Sequence, residues 1–433
     1  MSRRGLSKPT ALLILGLLAS VPMYGAGFGI FEQGSKAMGM AGAFTAQADD
    51  PSALFHNAGG VAFFEHREWM VGTTYISSTE AKFKGENPFP GDDARAEQKK
   101  LSEFPSHFYV VQPLNDTWKV GLGLNTPFGL TTEWQKPDSF VGRGISTKAA
   151  LRTFDLNPTL AWKVTPNIGI GFGARVMFSD VELERRNFSV NPFTLAPADV
   201  AKVHLKSDLS QGYGWNIGFL DKYNNSFSWG FSYRSKVKVK YKGSATLTQD
   251  LTGFAQFDGA VAAAVPFGVK LPLETEIEFP DLASLGFAIA LNPAMKLELD
   301  VNHTGWSSFK ELPINFTSSD PKKRLPDSVV KENWESEFNY RLGLDWMLSQ
   351  ENSLRFGFVY DKTPQPDQSV SPLLPDANRK GITLGWGHRA TSYHFDTALM
   401  YLPFGERTTH VNYDSFNGTY KTTAWLLGVS LGF

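Results

Sequence analysis

Residues able to do chemistry are few in this chain, and they are scattered. It has eight histidines and no cysteine, which removes disulfides and thiolate ligands from consideration. His394 and Asp396 stand two apart on one expected strand face, but no G-x-S-x-G supplies a nucleophile for them. His107 and His303 are isolated, and neither H-E-x-x-H nor a run of carboxylates offers a metal site. The remaining clusters are charges: Lys236, Lys238 and Lys240, and Arg341 with Asp345. Each set has the spacing of one face of an extended strand, and both sets are read as inward-facing wall polarity. No catalytic residue, cofactor or metal is expected.

What positions these residues is an unusual pattern of alternation. The last nine residues, WLLGVSLGF, place Trp425, Leu427, Val429, Leu431 and Phe433 on one face and Gly428, Ser430 and Gly432 on the other. A soluble sandwich would set Lys, Glu and Thr opposite its core face, whereas small residues opposite large ones suit a strand with lipid outside. Fourteen such stretches occur, at 67–79, 104–112, 117–127, 149–163, 168–185, 203–220, 226–244, 281–292, 294–306, 335–348, 353–361, 380–390, 392–402 and 419–433. Short connections such as Pro113–Asp116, Thr165–Asn167 and Asn292–Pro293 alternate with long ones. The expected fold is all-β: a 14-stranded antiparallel transmembrane β-barrel with short periplasmic turns, long extracellular loops and a last strand that pairs with the first. A formal net charge of -1 carries no footprint for nucleic acid.

Residues 1–25 read as a signal peptide: basic Arg3, Arg4 and Lys8, an apolar stretch half the length of a membrane helix, then small residues. Residues 26–66 do not alternate and are rich in Gly and Ala, so they are expected to fold inside the lumen as a hatch, with 67–433 as the barrel. The loops 187–203 and 248–268 are too apolar for a surface that meets only water.

AGFGIFEQGSKAMGMAGAFTA at 26–46, DDPSALFHNAGG, LGLNTPFGLTTEW, LDVNHTGWSSFKEL, YDKTPQPDQSVSPLLPDANR and the terminal strand together resemble the FadL/TodX outer-membrane transporters of hydrophobic compounds. The resemblance spans nearly all of the mature chain. It implies a monomeric barrel, an N-terminal hatch, an extracellular catching groove and an internal pocket. It also implies lateral release beside an inward kink of the third strand. In fatty-acid carriers of the family a basic pair meets the substrate carboxylate. Arg185 matches its arginine, while Glu337 stands at the lysine's place before Tyr340-Arg341. The hatch turn reads His56-Asn57-Ala58, where the family commonly has Asn-Pro-Ala.

The reading is passive uptake of fatty acids or hydrocarbons across a bacterial outer membrane. Solute is caught by the two apolar loops and held in a pocket beneath Phe28 and Phe31, with Arg185 as the ligand contact for a carboxylate. Outer-membrane lipid and lipopolysaccharide are the expected surroundings. A lipase-like barrel enzyme, a general porin and a phage or adhesin receptor are the alternatives.

Overall fold

The computed structural model describes residues 27–433; the signal-peptide and cleavage-site expectations lie outside the described residues. Fourteen strands close a wall: β1 (Glu68–Gly85), β2 (Ser106–Pro113), β3 (Trp118–Asn125), β4 (Lys148–Lys163), β5 (Ile168–Asn191), β6 (Ser210–Asn224) and β7 (Phe227–Arg234). They continue as β8 (Leu282–Asn292), β9 (Met295–Thr304), β10 (Glu337–Met347), β11 (Asn352–Asp361), β12 (Arg379–Arg389), β13 (His394–Pro403) and β14 (Gly418–Gly432). Each pairs antiparallel with its sequence neighbour in the wall. β14 closes the ring on β1 from Met70↔Gly432 to Gly85↔Gly418, so the chain ends in mid-sheet without leaving an edge.

The period-two pattern sorts these strands between two environments. On β14, Trp425, Leu427 and Val429 are exposed on the outer face while Leu426, Gly428 and Ser430 are buried on the inner one. The same sorting exposes Phe172, Phe231, Phe287, Leu342, Phe358 and Leu384 on the outside. Turns at one end span 114–117, 164–167, 225–226, 293–294, 348–351 and 390–393, and every long connection lies at the other. No helix is long and apolar enough to cross a membrane; the strands are the elements that can.

The inner face is lined with glycines because backbone and side chains of the segment 34–62 come close there. A Cβ added at Gly121 would meet Leu54, at Gly171 the Ala58 carbonyl, at Gly230 the Thr45 carbonyl, at Gly343 Met40, and at Gly428 the Met38 sulfur, all within 3 Å. Residues 34–62, including the helices α1 (Ser35–Gly39) and α2 (Ala53–His56), are therefore surrounded by strands from opposite sides of the ring, and nearly all are buried. Ser35 N–H donates to Ser430 Oγ on β14, and Ser228 Oγ on β7 donates to the Ala46 carbonyl.

Two expected strands prove to be four. The stretch 203–220 breaks into Ala196–Ser207 and β6, and 226–244 breaks into β7 and Val237–Gln249. The upper pieces join the far half of β5, Lys270–Phe279 and Glu311–Phe316 in an extension beyond the ring. Alternation runs through the breaks because the extension also buries one face, that of Val237, Val239, Tyr241, Ile277 and Phe279. Parity slips at Ser235, which is buried like Arg234 before it. Lys236 and Lys238 consequently point outward, not inward, and meet Glu278 at 4.0 Å and Glu276 at 2.6 Å; Lys240 is likewise exposed. The expected Arg341–Asp345 pair is also replaced: Asp345 meets Arg355 at 3.2 Å, and Arg341 donates to the Ala41 carbonyl at 2.6 Å.

A ring in which every strand is bonded on both sides should resist detergent until boiled. Unheated protein should therefore run faster than boiled protein on a denaturing gel. Equal mobility would contradict the closed β1–β14 seam.

Candidate functional site

The wall is interrupted in one place that matters. β3 stops at Asn125, the chain turns inward through Thr126–Phe128, and a short strand, Gly129–Glu133, resumes against β4. Pairing across to the other side returns only higher up, at Gln98↔Trp134 and Lys99 N–H to the Glu133 carbonyl. Among the described residues no backbone hydrogen bond joins 100–105 to 126–132. The result is a window in the wall.

A cavity of about 310 Å³ opens through this window. Its inner lining includes Phe28, Phe31, Phe128, Leu151, Arg341 and Leu402; Phe104 and Phe154 line its outer mouth and are 59% and 53% exposed. Phe31 lies under the Arg341 guanidinium, 4.4 Å from ring centroid to carbon. Phe28 sits in a cage of aromatics, with centroids 4.5 Å from Trp306, 5.4 Å from Trp334, 5.6 Å from Phe309 and 6.2 Å from both Phe128 and Phe279. Most of these contacts are edge-on, the arrangement in which ring quadrupoles attract. The backbone at Gly27 is pinned too: its N–H donates to Asp376 and its carbonyl accepts from Arg379.

Arg185 is elsewhere. It extends from the far half of β5 into a second, outer cavity of about 670 Å³, lined by Leu183, Val203, Leu205, Ile314 and Phe316 along with Glu332, Tyr413 and Asp414. Arg185 is exposed there, and the three expected ligand contacts are divided between two chambers. Glu332, in the connection between β9 and β10, also lines the outer chamber, and its carboxyl oxygen accepts from the Trp334 indole N–H at 2.9 Å. Burial pushes the Glu332 carboxyl up to about 8, opposed by that hydrogen bond and assisted by the charge of Asp414. Burial therefore favours its neutral form at neutral pH. Glu337 lines neither chamber and pairs with Lys362 at 3.2 Å.

The expected hatch turn is held by its asparagine. Asn57 Oδ1 accepts from Gly59 N–H at 2.9 Å, and Nδ2 donates to the carbonyls of Thr45 and of Phe219 on β6. Ala58 opens a 3₁₀ turn, Ala58–Phe63, pressed against Gly171. The His56 ring stacks edge-on against Phe44 and Phe55. His394 and Asp396 do face inward, and Asp396 accepts from Arg355 at 2.5 Å, so the pair belongs to a charge network. Among the described residues, one group has metal-ligand geometry: Glu182, Glu184 and His204. Lys148 and Lys202 already pair with its two carboxylates.

Fold and chambers together define a class: a closed transmembrane β-barrel with a filled lumen, two chambers and a side window. Residues 16–433 match the family model described as outer membrane protein transport protein (OMPP1/FadL/TodX), and the chain belongs to that family. It is 22% identical over 463 residues to the long-chain fatty acid transport protein of Escherichia coli K12, each covered in full. With outer membrane protein P1 of Haemophilus influenzae Rd it shares 24% identity over 423 residues, 89% of this chain and 88% of that one. Solved structures share the fold. A FadL homologue of Pseudomonas aeruginosa superposes with a TM-score of 0.78 at 20% identity, covering 94% of this chain and 99% of that one. The toluene transporter TodX of P. putida gives 0.67 at 15%, covering 95% and 98%. The protein is an outer-membrane protein.

Inside the ring, Asp155 on β4 accepts from both Arg175 and Arg234 at 2.7 Å, and all three are buried. Asp155→Ala would strand two guanidiniums and should cost about 3–5 kcal/mol, read as a lowered unfolding midpoint in detergent. Asp180→Ala, which removes the partner of the exposed Arg152, should cost about 0–1 kcal/mol. Equal costs would contradict the buried network.

Proposed function

We propose that this protein carries hydrophobic compounds passively inward across the outer membrane and releases them sideways through the wall. The outer cavity and its apolar rim receive the solute, the Phe28 chamber holds it, and the window beside Thr126–Phe128 lets it into the bilayer. Residues 26–66 act as the hatch that blocks a straight aqueous path. The observation that carries this reading is the continuity of one apolar cavity from the Phe28 cage to the lipid-facing Phe104 and Phe154. Energetics favour the same route. A chain of roughly sixteen carbons gains about 0.8 kcal/mol per buried CH₂, so release into water would cost on the order of 10 kcal/mol, most of which a lateral exit avoids.

Loop chemistry supports the capture step. Phe193 and Phe254, one from each apolar loop, stack 5.9 Å apart, and Val190, Leu195 and Leu251 are exposed beside them. Long-chain fatty acids and small hydrocarbons are the substrate classes, as the names of the relatives suggest. Arg185 favours a carboxylate, and the protein works as a monomer without cofactor or catalytic step. Outer-membrane lipid and lipopolysaccharide surround it.

Deleting residues 26–60 should turn a nearly non-conducting barrel into a leaky pore in planar bilayers. Equal conductance before and after deletion would remove the hatch role. Arg185→Ala should weaken fatty-acid binding about ten- to a hundredfold, the worth of a charge-assisted bond of roughly 1.5–3 kcal/mol, and leave toluene binding unchanged. Wild-type fatty-acid binding should also weaken as pH rises through about 8, because Glu332 then adds a negative charge to the cavity that holds Arg185. If fatty acid binds equally to wild type and mutant, Arg185 is a wall residue and the substrate is uncharged.

A further inference from the structure

Backbone at lipid depth must have its N–H and C=O groups satisfied, and the inward turn at Thr126–Phe128 has left the wall's ladder. Its accounting is nevertheless complete. The Gln33 side chain takes the place of a neighbouring strand: Nε2 donates to the Thr126 carbonyl at 2.7 Å, and Oε1 accepts from Thr126 N–H at 3.2 Å. Ile30 N–H donates to the Pro127 carbonyl at 2.8 Å, and Gly129 N–H donates to the Phe28 carbonyl at 3.0 Å. Phe128 N–H and C=O both meet Thr153 Oγ1 on β4, at 3.0 and 2.6 Å. Proline supplies no N–H at 127, so no donor is left over.

Gln33 is fully buried, and its own carbonyl accepts from Tyr109 OH at 2.9 Å, which fixes the side chain's origin against β2. The two-point bond to Thr126 is thus rigid at both ends. Without it, the Thr126 groups would need new partners. Across the window the Thr126 hydroxyl already donates to the Ser106 carbonyl at 3.3 Å, and Ser106 is the ladder position that follows Phe108↔Leu124 in the register. Pairing there would draw the turn outward and close the gap.

We propose that Gln33 is a positioning residue that props the wall window open by serving as the strand partner of Thr126. The inference rests on the lateral-exit reading. It makes 28–33 part of the exit as well as part of the lumen filling, so the window exists only while this segment is docked.

The test uses Gln33→Leu, which keeps the volume and removes both bonds, and Thr153→Val, which removes the hydroxyl on the other side of the turn. Three quantities are read for each: uptake of labelled palmitate by cells expressing the full chain, palmitate binding to purified protein, and hydrogen exchange at the Thr126 and Gly129 amides. The expected result is uptake lowered at least about tenfold, binding within about twofold of wild type, and faster exchange at Thr126 in Gln33→Leu. A general structural defect would lower binding and uptake together, which would overturn the proposal. So would wild-type uptake in both variants, or unchanged exchange at Thr126. Thr131→Trp, which places a bulky ring in the window from the 126–132 edge, separates this from the underlying reading. If Thr131→Trp transports normally, the lateral route itself fails. If it blocks uptake while Gln33→Leu and Thr153→Val do not, only the prop fails.

Discussion

Everything in this molecule follows from one constraint: backbone in contact with hydrocarbon has no water to bond, so its polar groups must find partners within the protein. The fourteen-membered ring meets it by pairing every strand twice, which is why β14 can end at the sheet's middle and present Trp425 and Phe433 to lipid. A window in such a wall is the most demanding feature to build. Removing a few ladder bonds exposes orphan groups on both edges, and each would cost several kcal/mol in a hydrocarbon setting. The protein meets this demand at Thr126–Phe128 by bringing another segment of backbone to the gap, with Gly29 in an antiparallel bridge to Phe128 and the Gln33 amide beyond it.

The ring was legible in the sequence because its period is two and its two faces meet different media. Large residues facing lipid and small ones facing the lumen need no tertiary information to be seen, as β14 shows most plainly. The extension above it was not separable, since Val237, Val239 and Tyr241 alternate as regularly as any wall strand while burying their face in a protein core. Alternation reports that one side is buried; it does not report in what. The slip at Ser235 turned Lys236 and Lys238 outward for the same reason. One additional inward residue changes no composition and no periodicity on either side of it, yet it reverses every side chain that follows.

The site was legible in parts. Phe28, Phe31 and Arg185 all came from resemblance; the structure sets Phe28 and Phe31 at the inner cavity and Arg185 at the outer one. Position along the barrel axis is where the sequence reading failed, because parity says which face a side chain takes and says nothing about height. Gln33 carried no signal at all. A single amide in a Gly-rich segment looks like surface polarity until the turn it satisfies is known. Arg379 and Asp376, which pin Gly27, lay in a stretch quoted for family resemblance without any assigned task.

The same few residues therefore serve two ends of one process. Phe28 fills an aromatic cage, and the Phe28 carbonyl and Ile30 N–H hold the edge of the window. A solute that competes for the cage acts on backbone whose hydrogen bonds define the exit. Linkage is reciprocal: if occupancy of the chamber alters the docking of 28–33, docking must alter affinity by the same factor. A rigid plug with a separate gate would need two moving parts and some path of communication between them. Here the distance from the Phe28 ring to the window is one residue of chain, so coupling requires only that the segment move as a unit. Its pins, the Asp376–Arg379 pair on one side and Tyr109 on the other, lie on two different parts of the molecule, and a lateral shift of the segment must strain both together.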